Sequence, residues 1–348
     1  MGKLKVLIFG PIAPPIGGIS IHIDRLKNLL ENEFIFDFID ESKIIKENIY
    51  NIKSKKLFKY LIKILHADIL YIQSGNIIYR YVHIIFGKLF KKKIILTIHG
   101  FGNFKYNIIN RWMNNCCDKI IIVNKNIVPA KQLNKIKYFV KPAFIMPVIA
   151  NEPILPNEVV NIIETARNEN KKIIISNASK LKMYNNEDLY GLDLSLQLSS
   201  RLIENEFEFI FIFIVSSQEE HESYFKKIKN EIKINRLEKN FYLIPTLLSF
   251  SKLISKSDLV IRATNIDGDS ISVREAICLN TPVIASDAVE RPIGTIIFKN
   301  RNLDDLYSKT SSILKKYTSN KELNIYKNRN ENDFDFYKNL IIQTATIK

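Results

Sequence analysis

Residues 261 to 287 read IRATNIDGDSISVREAICLNTPVIASD. A short apolar run ends at Ile261, a polar loop containing Gly268 follows, a helix carries Glu275, and Pro282 to Ser286 turn apolar again. Strand, loop, helix and strand in this order make a crossover unit of a parallel sheet. The same rhythm extends in both directions. Strands are expected at Lys5 to Phe9, Ile35 to Ile39, Ile69 to Gln73, Ile94 to His99 and Lys119 to Val123. They are expected again at Lys172 to Asn177, Glu208 to Val215, Phe241 to Ile244, Leu259 to Ile261 and Pro282 to Ser286, with helical stretches between. The run from Phe144 to Pro156 holds three prolines and little periodicity, so it is the expected linker.

A chain of 348 residues exceeds the size at which one core usually stops growing. The expected organisation is an N-terminal Rossmann-like domain over 1–155, a second over 156–329, and a C-terminal helix over 330–348 that packs back on the first. Two such α/β domains facing each other across a cleft would bind ligands in the loops after strands. No apolar run approaches the ~18 residues of a membrane span. The start MGKLKVLIFG loses its apolar character at Gly10 and reads as a first strand, not as a signal peptide. Cys116, Cys117 and Cys278 have neither a zinc spacing nor the pattern of a disulfide framework, which fits a reducing cytoplasm.

The net charge is +15, and it is unevenly placed. Residues 1–150 carry 24 Lys and Arg against 9 Asp and Glu, whereas residues 151–348 carry 27 of each. The basic half should meet something anionic: nucleic acid, anionic lipid or a phosphorylated substrate. No RNP-type aromatic stretch, zinc module or basic zipper supports nucleic acid. Residues 51–65 read as a basic amphipathic helix, with Lys55, Lys56, Lys59 and Lys63 on one face and Leu57, Phe58, Leu61 and Leu65 on another. Such a helix either lies on an anionic membrane or packs its apolar stripe on a sheet with its lysines in water.

Four loops could carry chemistry. Gly17 and Gly18 open a helix after the first strand, where backbone amides can approach an anion. His99 ends the fourth strand and can hydrogen-bond a hydroxyl or shuttle a proton. Asn177 and Lys180 follow the first strand of the second half, with Tyr190 and Gly191 opening the next helix; a lysine there can neutralise a diphosphate. In the loop quoted first, Glu275 can accept both hydroxyls of a ribose, while the amides of Asp269, Ser270, Ile271 and Ser272 point at phosphate or sugar oxygens. Asp267 and Asp269 have the spacing of a metal-binding pair.

At these residues the chain resembles the GT-B retaining glycosyltransferases of family 4, which build bacterial capsule, O-antigen and exopolysaccharide. In that family two acidic residues eight apart bind the hexose and the ribose of a nucleotide sugar; the matching positions are Asp267, shortened from Glu, and Glu275. The family's proline-rich loop near the donor diphosphate looks like residues 14–18, PPIGG, and its cleft histidine looks like His99. Lys180 stands where the family has an arginine, and Tyr190-Gly191 stands where it has Lys-Gly. That departure leaves phosphate charge to be supplied elsewhere, with Arg262 or Arg291 as candidates. The resemblance implies transfer of a hexose from a UDP- or GDP-linked donor with retention, without a metal or other cofactor. It also implies a lipid-linked glycan acceptor at the inner face of the cell membrane, where the protein would be peripheral. A sugar-nucleotide epimerase of the same architecture and a basic nucleic-acid-binding protein are the alternatives.

Overall fold

A computed structural model describes residues 2–14, 16–54, 56–100, 107–133, 136–217, 222–267, 270–316 and 329–347. The chain forms two compact units, Met1–Ile145 with Asn328–Lys348, and Met146–Lys327. The crossing from the first unit to the second thus falls inside the proline-containing run, about ten residues before the boundary expected at 155.

The first unit runs β1 (Lys5–Gly10), α1 (Gly18–Leu30), β2 (Ile35–Asp40), β3 (Tyr50–Asn51), α2 (Leu57–His66), β4 (Ile69–Ile72), α3 (Ile77–Leu89), β5 (Lys93–Ile98), α4 (Ile108–Asn115), β6 (Lys119–Ile122), α5 (Ala130–Leu133) and β7 (Tyr138–Val140). Its seven strands are parallel in the order β3-β2-β1-β4-β5-β6-β7. The central strands are near-continuous apolar runs because helices cover both faces. Side chains alternate between the two faces. Leu7, Leu70, Leu96 and Ile120 pack with Tyr60 and Ile64 of α2, Ile84 of α3 and Met113 of α4. Ile8, Tyr71, Ile95 and Ile121 pack with α1 and with Tyr337, Leu340 and Ile341 of the C-terminal helix. Gly10 ends β1 where a Cβ would lie 2.7 Å from Ile23 Cδ1 and 3.3 Å from the Gln73 carbonyl oxygen, so its bareness lets α1 and the end of β4 close on the strand.

The second unit runs α6 (Asn157–Asn168), β8 (Lys172–Lys180), the antiparallel pair β9 (Met183–Tyr184) and β10 (Glu187–Asp188), α7 (Leu192–Glu204), β11 (Phe209–Ser217), α8 (Glu222–Ile234), β12 (Phe241–Ile244), α9 (Phe250–Ile254), β13 (Leu259–Arg262), α10 (Ile271–Cys278), β14 (Val283–Ser286), β15 (Ile296–Phe298) and α11 (Leu303–Lys316). The C-terminal helix, α12 (Arg329–Thr346), returns to the first unit. The second sheet is parallel in the order β12-β11-β8-β13-β14-β15. In both units the order reverses beside the first strand, and this switch point opens a crevice at the carboxyl edge.

The structure departs from the sequence expectations at sheet edges. β3, β7 and β15 have two or three residues each, too short for a periodic signal. The expected helix over 51–65 begins only at Leu57, because residues 50–54 form β3 and a short turn of tighter helix.

Candidate functional site

Most of the residues singled out in the second half meet at the carboxyl edge of its sheet. β13 ends on Arg262, and the following loop folds back so that Asp267 meets the same guanidinium. Arg262 Nε and Nη2 donate to Asp267 Oδ2 and Oδ1 at 3.0 and 3.2 Å, and Nη1 donates to the Asn177 carbonyl on β8 at 3.1 Å. Arg291, after β14, donates from Nη1 to Asp267 Oδ2 at 2.9 Å. Its Nε and Nη2 hold the carbonyl and the hydroxyl of Ser286 at 2.9 and 3.1 Å. Burial alone would raise the Asp267 carboxyl, but the charges and hydrogen bonds of Arg262 and Arg291 hold it below the usual carboxylate range. Asp267 is therefore an ionised acceptor between two guanidiniums, and the three groups together carry one net positive charge.

Tyr190 completes this cluster. The Arg262 guanidinium lies 5.1 Å from its ring centroid, within cation–π range, and its hydroxyl is 2.9 Å from Ser179 Oγ. The turn that carries it is fastened by buried Asp188, whose Oδ1 accepts from the Tyr190 and Leu192 amides at 2.8 and 3.1 Å. Gly191 follows with φ +71°, and a Cβ there would lie 2.3 Å from the Ala263 carbonyl oxygen. Glycine is thus required for α7 to start against the loop that leaves β13.

α10 rises from the same loop. Ser270 is its N-cap, but its hydroxyl lies 3.1 Å from Ser272 Oγ and makes no cap bond to the helix's own amides. Ile271 is half-buried, and Ser272 and Glu275, three residues apart, share one helix face. Glu275 is only 3% exposed. Asp269 lies outside the described residues, as does Gly268. Lys180 is the last residue of β8 and is half-buried.

The remaining candidates belong to the first unit. Gly17 is the N-cap of α1 and Gly18 its first residue, both exposed. The Gly17 amide donates to Ser20 Oγ at 2.8 Å, and a Cβ on Gly17 would meet nothing within 4 Å, so the fold does not demand this glycine. His99, half-buried after β5, has Nε2 3.3 Å from Gln73 Oε1. The ring of His22 from α1 meets it edge-on, with centroids 5.8 Å apart. Burial lowers the His22 imidazole to about 3, with Arg25 adding to the shift. Burial, then His22 and Arg80, hold His99 well below its ordinary value. Both rings are therefore neutral at neutral pH, each with one N–H donor and one acceptor.

Of the four lysines assigned to a membrane face, Lys55 lies outside the described residues, and Lys56 and Lys59 are exposed at the start of α2. Lys63 differs from expectation: its Nζ pairs with Asp37 of β2 at 2.5 and 2.6 Å, so its charge is matched within the fold. The apolar residues of this helix also differ, since Tyr60 and Ile64 are buried whereas Leu57, Phe58 and Leu65 are exposed. Sequence reasoning offered Arg262 and Arg291 as alternative sources of charge, but the fold uses both on one carboxylate. The pairing of His22 with His99, 77 positions away, left no local signal in the sequence.

Among the described residues no helix is long and apolar enough to cross a membrane, and no three His, Cys, Asp or Glu gather as a metal site. No family model and no curated protein matches the sequence. The fold, however, matches solved structures along the whole chain. A glycosyltransferase from Rickettsia africae is 16% identical with a TM-score of 0.67, all of both chains being covered. Anabaena HepE in complex with UDP is 13% identical with a TM-score of 0.65, over 99% of this chain and 100% of that one. A Listeria monocytogenes protein assigned as a UDP-N-acetylglucosamine 2-epimerase is 16% identical with a TM-score of 0.57, over 91% and 89%. The chain thus has the GT-B fold of glycosyltransferases, built from two parallel-sheet α/β units.

Proposed function

We propose that this protein is a retaining glycosyltransferase that moves a hexose-type sugar from a UDP- or GDP-linked donor to a lipid-linked glycan acceptor in cell-surface polysaccharide synthesis. One observation carries the reading: a carboxylate, Glu275, is buried on the helix that rises from the carboxyl edge of β13, next in sequence to a cluster with net positive charge. That is the switch point of the second sheet, where such folds bind nucleotides. Glu275 accepts the ribose hydroxyls, and Ser270, Ile271 and Ser272 bring the positive end of α10 to phosphate or sugar oxygens. Asp269 belongs to the same loop.

A diphosphate arriving here competes with Asp267 for Arg262 and Arg291, which with Lys180 supply the positive charge that the family's missing lysine would give. Asn177 and Tyr190 keep Arg262 aimed while it changes partner. Asp267, once released, is the carboxylate that contacts the hexose. As the diphosphate leaves, these cations and the α10 amides stabilise its growing negative charge. In the first unit, Gly17 and Gly18 leave room for an anion beside α1. Neutral His99 serves as hydrogen-bond partner to a substrate hydroxyl. No metal is assigned a step. In this reading the basic first unit faces the acceptor and the anionic inner face of the cell membrane, where the protein is peripheral.

The HepE complex with UDP supports a nucleotide donor. UDP- and GDP-sugars should be screened for thermal stabilisation of the whole chain. A bound donor at a hundred times its dissociation constant stabilises by about 2.7 kcal/mol. Glu275→Ala should lose most of that shift, measured against its own unfolding temperature without ligand. Equal stabilisation of the variant would remove Glu275 from the site. The epimerase-like neighbour keeps a second reading in view. Incubation with a nucleotide sugar and no acceptor separates the two: an altered sugar marks an epimerase, and slow hydrolysis marks a transferase.

A further inference from the structure

β2 runs out in two neighbouring carboxylates, Asp40 and Glu41, which the fold treats in opposite ways. Asp40, fully buried, is saturated. Its Oδ1 accepts from the amides of Ile12 and Ser42 at 3.0 and 2.8 Å, and its Oδ2 accepts from Ser42 Oγ and Lys46 Nζ at 2.8 and 2.7 Å. It fastens the loops after β1 and β2 to each other. Glu41 is held by one oxygen. Its amide donates to the Gly10 carbonyl at 3.1 Å, and its side chain passes the end of β1 to reach the residues after β4. There Oε1 accepts from Ser74 Oγ and lies 3.1 Å from His83 Nε2, while among the described residues no hydrogen bond reaches Oε2.

The anchors are themselves fixed. His83 is fully buried on α3, with its ring centroid 4.2 Å from that of Phe9 and its Nδ1 2.8 Å from the hydroxyl of Tyr60 on α2. A carboxylate can only accept, so the imidazole turns an N–H toward Oε1. Arg80, one turn before His83 and also buried, stands close enough for its charge to offset that of Glu41. Its Nη2 donates to the carbonyls of Ser74 and Gly100 at 3.0 and 2.9 Å, which ties the residue that holds Glu41 to the one that follows His99. Burying a charge is costly unless its partners are complete. A role confined to stability would use both oxygens, as Asp40 does. Glu41 instead keeps a rigid, largely desolvated acceptor, with 4% of its side chain open, where the strand order of the first sheet reverses. Such a backed acceptor is preorganised for a ligand hydroxyl. The carboxylate would repel a phosphate, so the group it receives is uncharged.

We infer that Glu41 Oε2 accepts a hydroxyl of the acceptor sugar, with Ser74, His83 and Tyr60 as the positioning residues behind it. That this sugar is the acceptor rests on the transferase reading; its binding at Glu41 does not. The full chain, without any nucleotide sugar, should be titrated with the methyl glycosides of glucose, galactose, mannose and N-acetylglucosamine while the imidazole nitrogen resonances of His83 are followed. At least one glycoside should move the His83 Nε2 signal saturably. Glu41→Gln replaces a charged acceptor by a neutral one and should weaken that sugar about tenfold or more. Ser74→Ala leaves the carboxylate in place but frees Oε1 of one anchor, and should weaken it about threefold. Stabilisation by a nucleotide sugar should be the same in both variants as in the unaltered protein. The inference falls if no glycoside moves His83, or if both variants bind the responding sugar as tightly as the unaltered chain. Sugar binding that depends on Glu41 in a protein that no nucleotide sugar stabilises would uphold it and count against the donor site alone.

Discussion

The two sheets share a strand order about their switch points, yet their carboxyl edges are furnished in opposite ways. In the second unit the edge is ionic: Asp267 is held between Arg262 and Arg291, with Tyr190 against one guanidinium. In the first, the end of β5 carries a pair of neutral imidazoles: His99 and His22 sit ring to ring with their basicity suppressed by burial, beside buried Arg80, whose Nη2 donates to the Ser74 and Gly100 carbonyls. The surfaces are reversed again. The unit with the imidazole pair carries the whole net charge, and the unit with the ionic clamp has none. One topology thus serves two kinds of ligand surface, because in α/β sheets the core sets the scaffold while the loops at strand ends set the chemistry.

The contrast is most exposed to test at Arg291. Its side chain is buried against an ionised carboxylate, so Arg291→Ala leaves Asp267 with one partner and should destabilise the second unit by about 3 kcal/mol. Hydrogen exchange of the β13 and β14 amides reads this locally. Adding Asp267→Asn should recover part of the loss by removing the under-compensated charge. If Arg291→Ala alone leaves exchange unchanged, the second edge does not depend on its ionic clamp.

Acid should separate the units next. The His22 imidazole is lowered from 6.5 to about 3 in the folded protein, so between these values the unfolded chain binds the extra proton and folding weakens as pH falls. At pH 4.5 the cost to the first unit is about 2–3 kcal/mol. Asp267 behaves differently. Its depressed folded value leaves its contribution intact above the ordinary aspartate range, to be lost only at lower pH. The first unit should therefore open before the second on acidification, as seen by tyrosine and tryptophan probes against exchange of β13. His99, also held well below its ordinary value, adds to the same step, so His22→Phe should remove only the His22 share of it. Simultaneous opening of both units in the unaltered protein would erase the contrast.

The smallest expected effect is at Tyr190. Tyr190→Leu removes the ring beside Arg262 and the hydroxyl contact with Ser179, together worth about 1 kcal/mol. Tyr190→Phe should keep the first part and lose only the second. Urea unfolding of the two variants distinguishes ring from hydroxyl; equal losses would assign the effect to the hydrogen bond alone.

Much of this was legible from letters alone. The apolar runs at Ile69, Ile94, Lys172, Phe209 and Val283 announced parallel strands, since a strand covered on both faces needs side chains that are apolar at every position. Residues 261–287 announced their own strand, loop and helix for the same reason. Tyr50-Asn51 announced nothing, because two residues have no period. The site was legible as a set of positions but not as a set of bonds. Arg262 and Arg291 stood out as basic residues flanking the loop, yet that both would turn to Asp267 depends on β14 lying beside β13. Lys63 looked like part of a solvent face until β2 brought Asp37 beneath it.

Sequence sufficed for what local physics controls: where apolar periodicity starts a strand or helix, where glycine opens a loop, and how charge divides along the chain. Folding in three dimensions set the rest. A helix such as α3 has apolar residues all round, and its sequence alone implies burial on every side. The sheet beneath covers one stripe and leaves Ile78, Ile85 and Leu89 outside. The loop after β13 is likewise read from its own residues, but its partners come from as far as 78 positions away, where Asn265 donates to Glu187 of β10, and from Arg291 after β14. The reason is one of range: periodicity and turn chemistry act over a few residues, whereas which side chains meet at a sheet edge depends on how the strands are ordered.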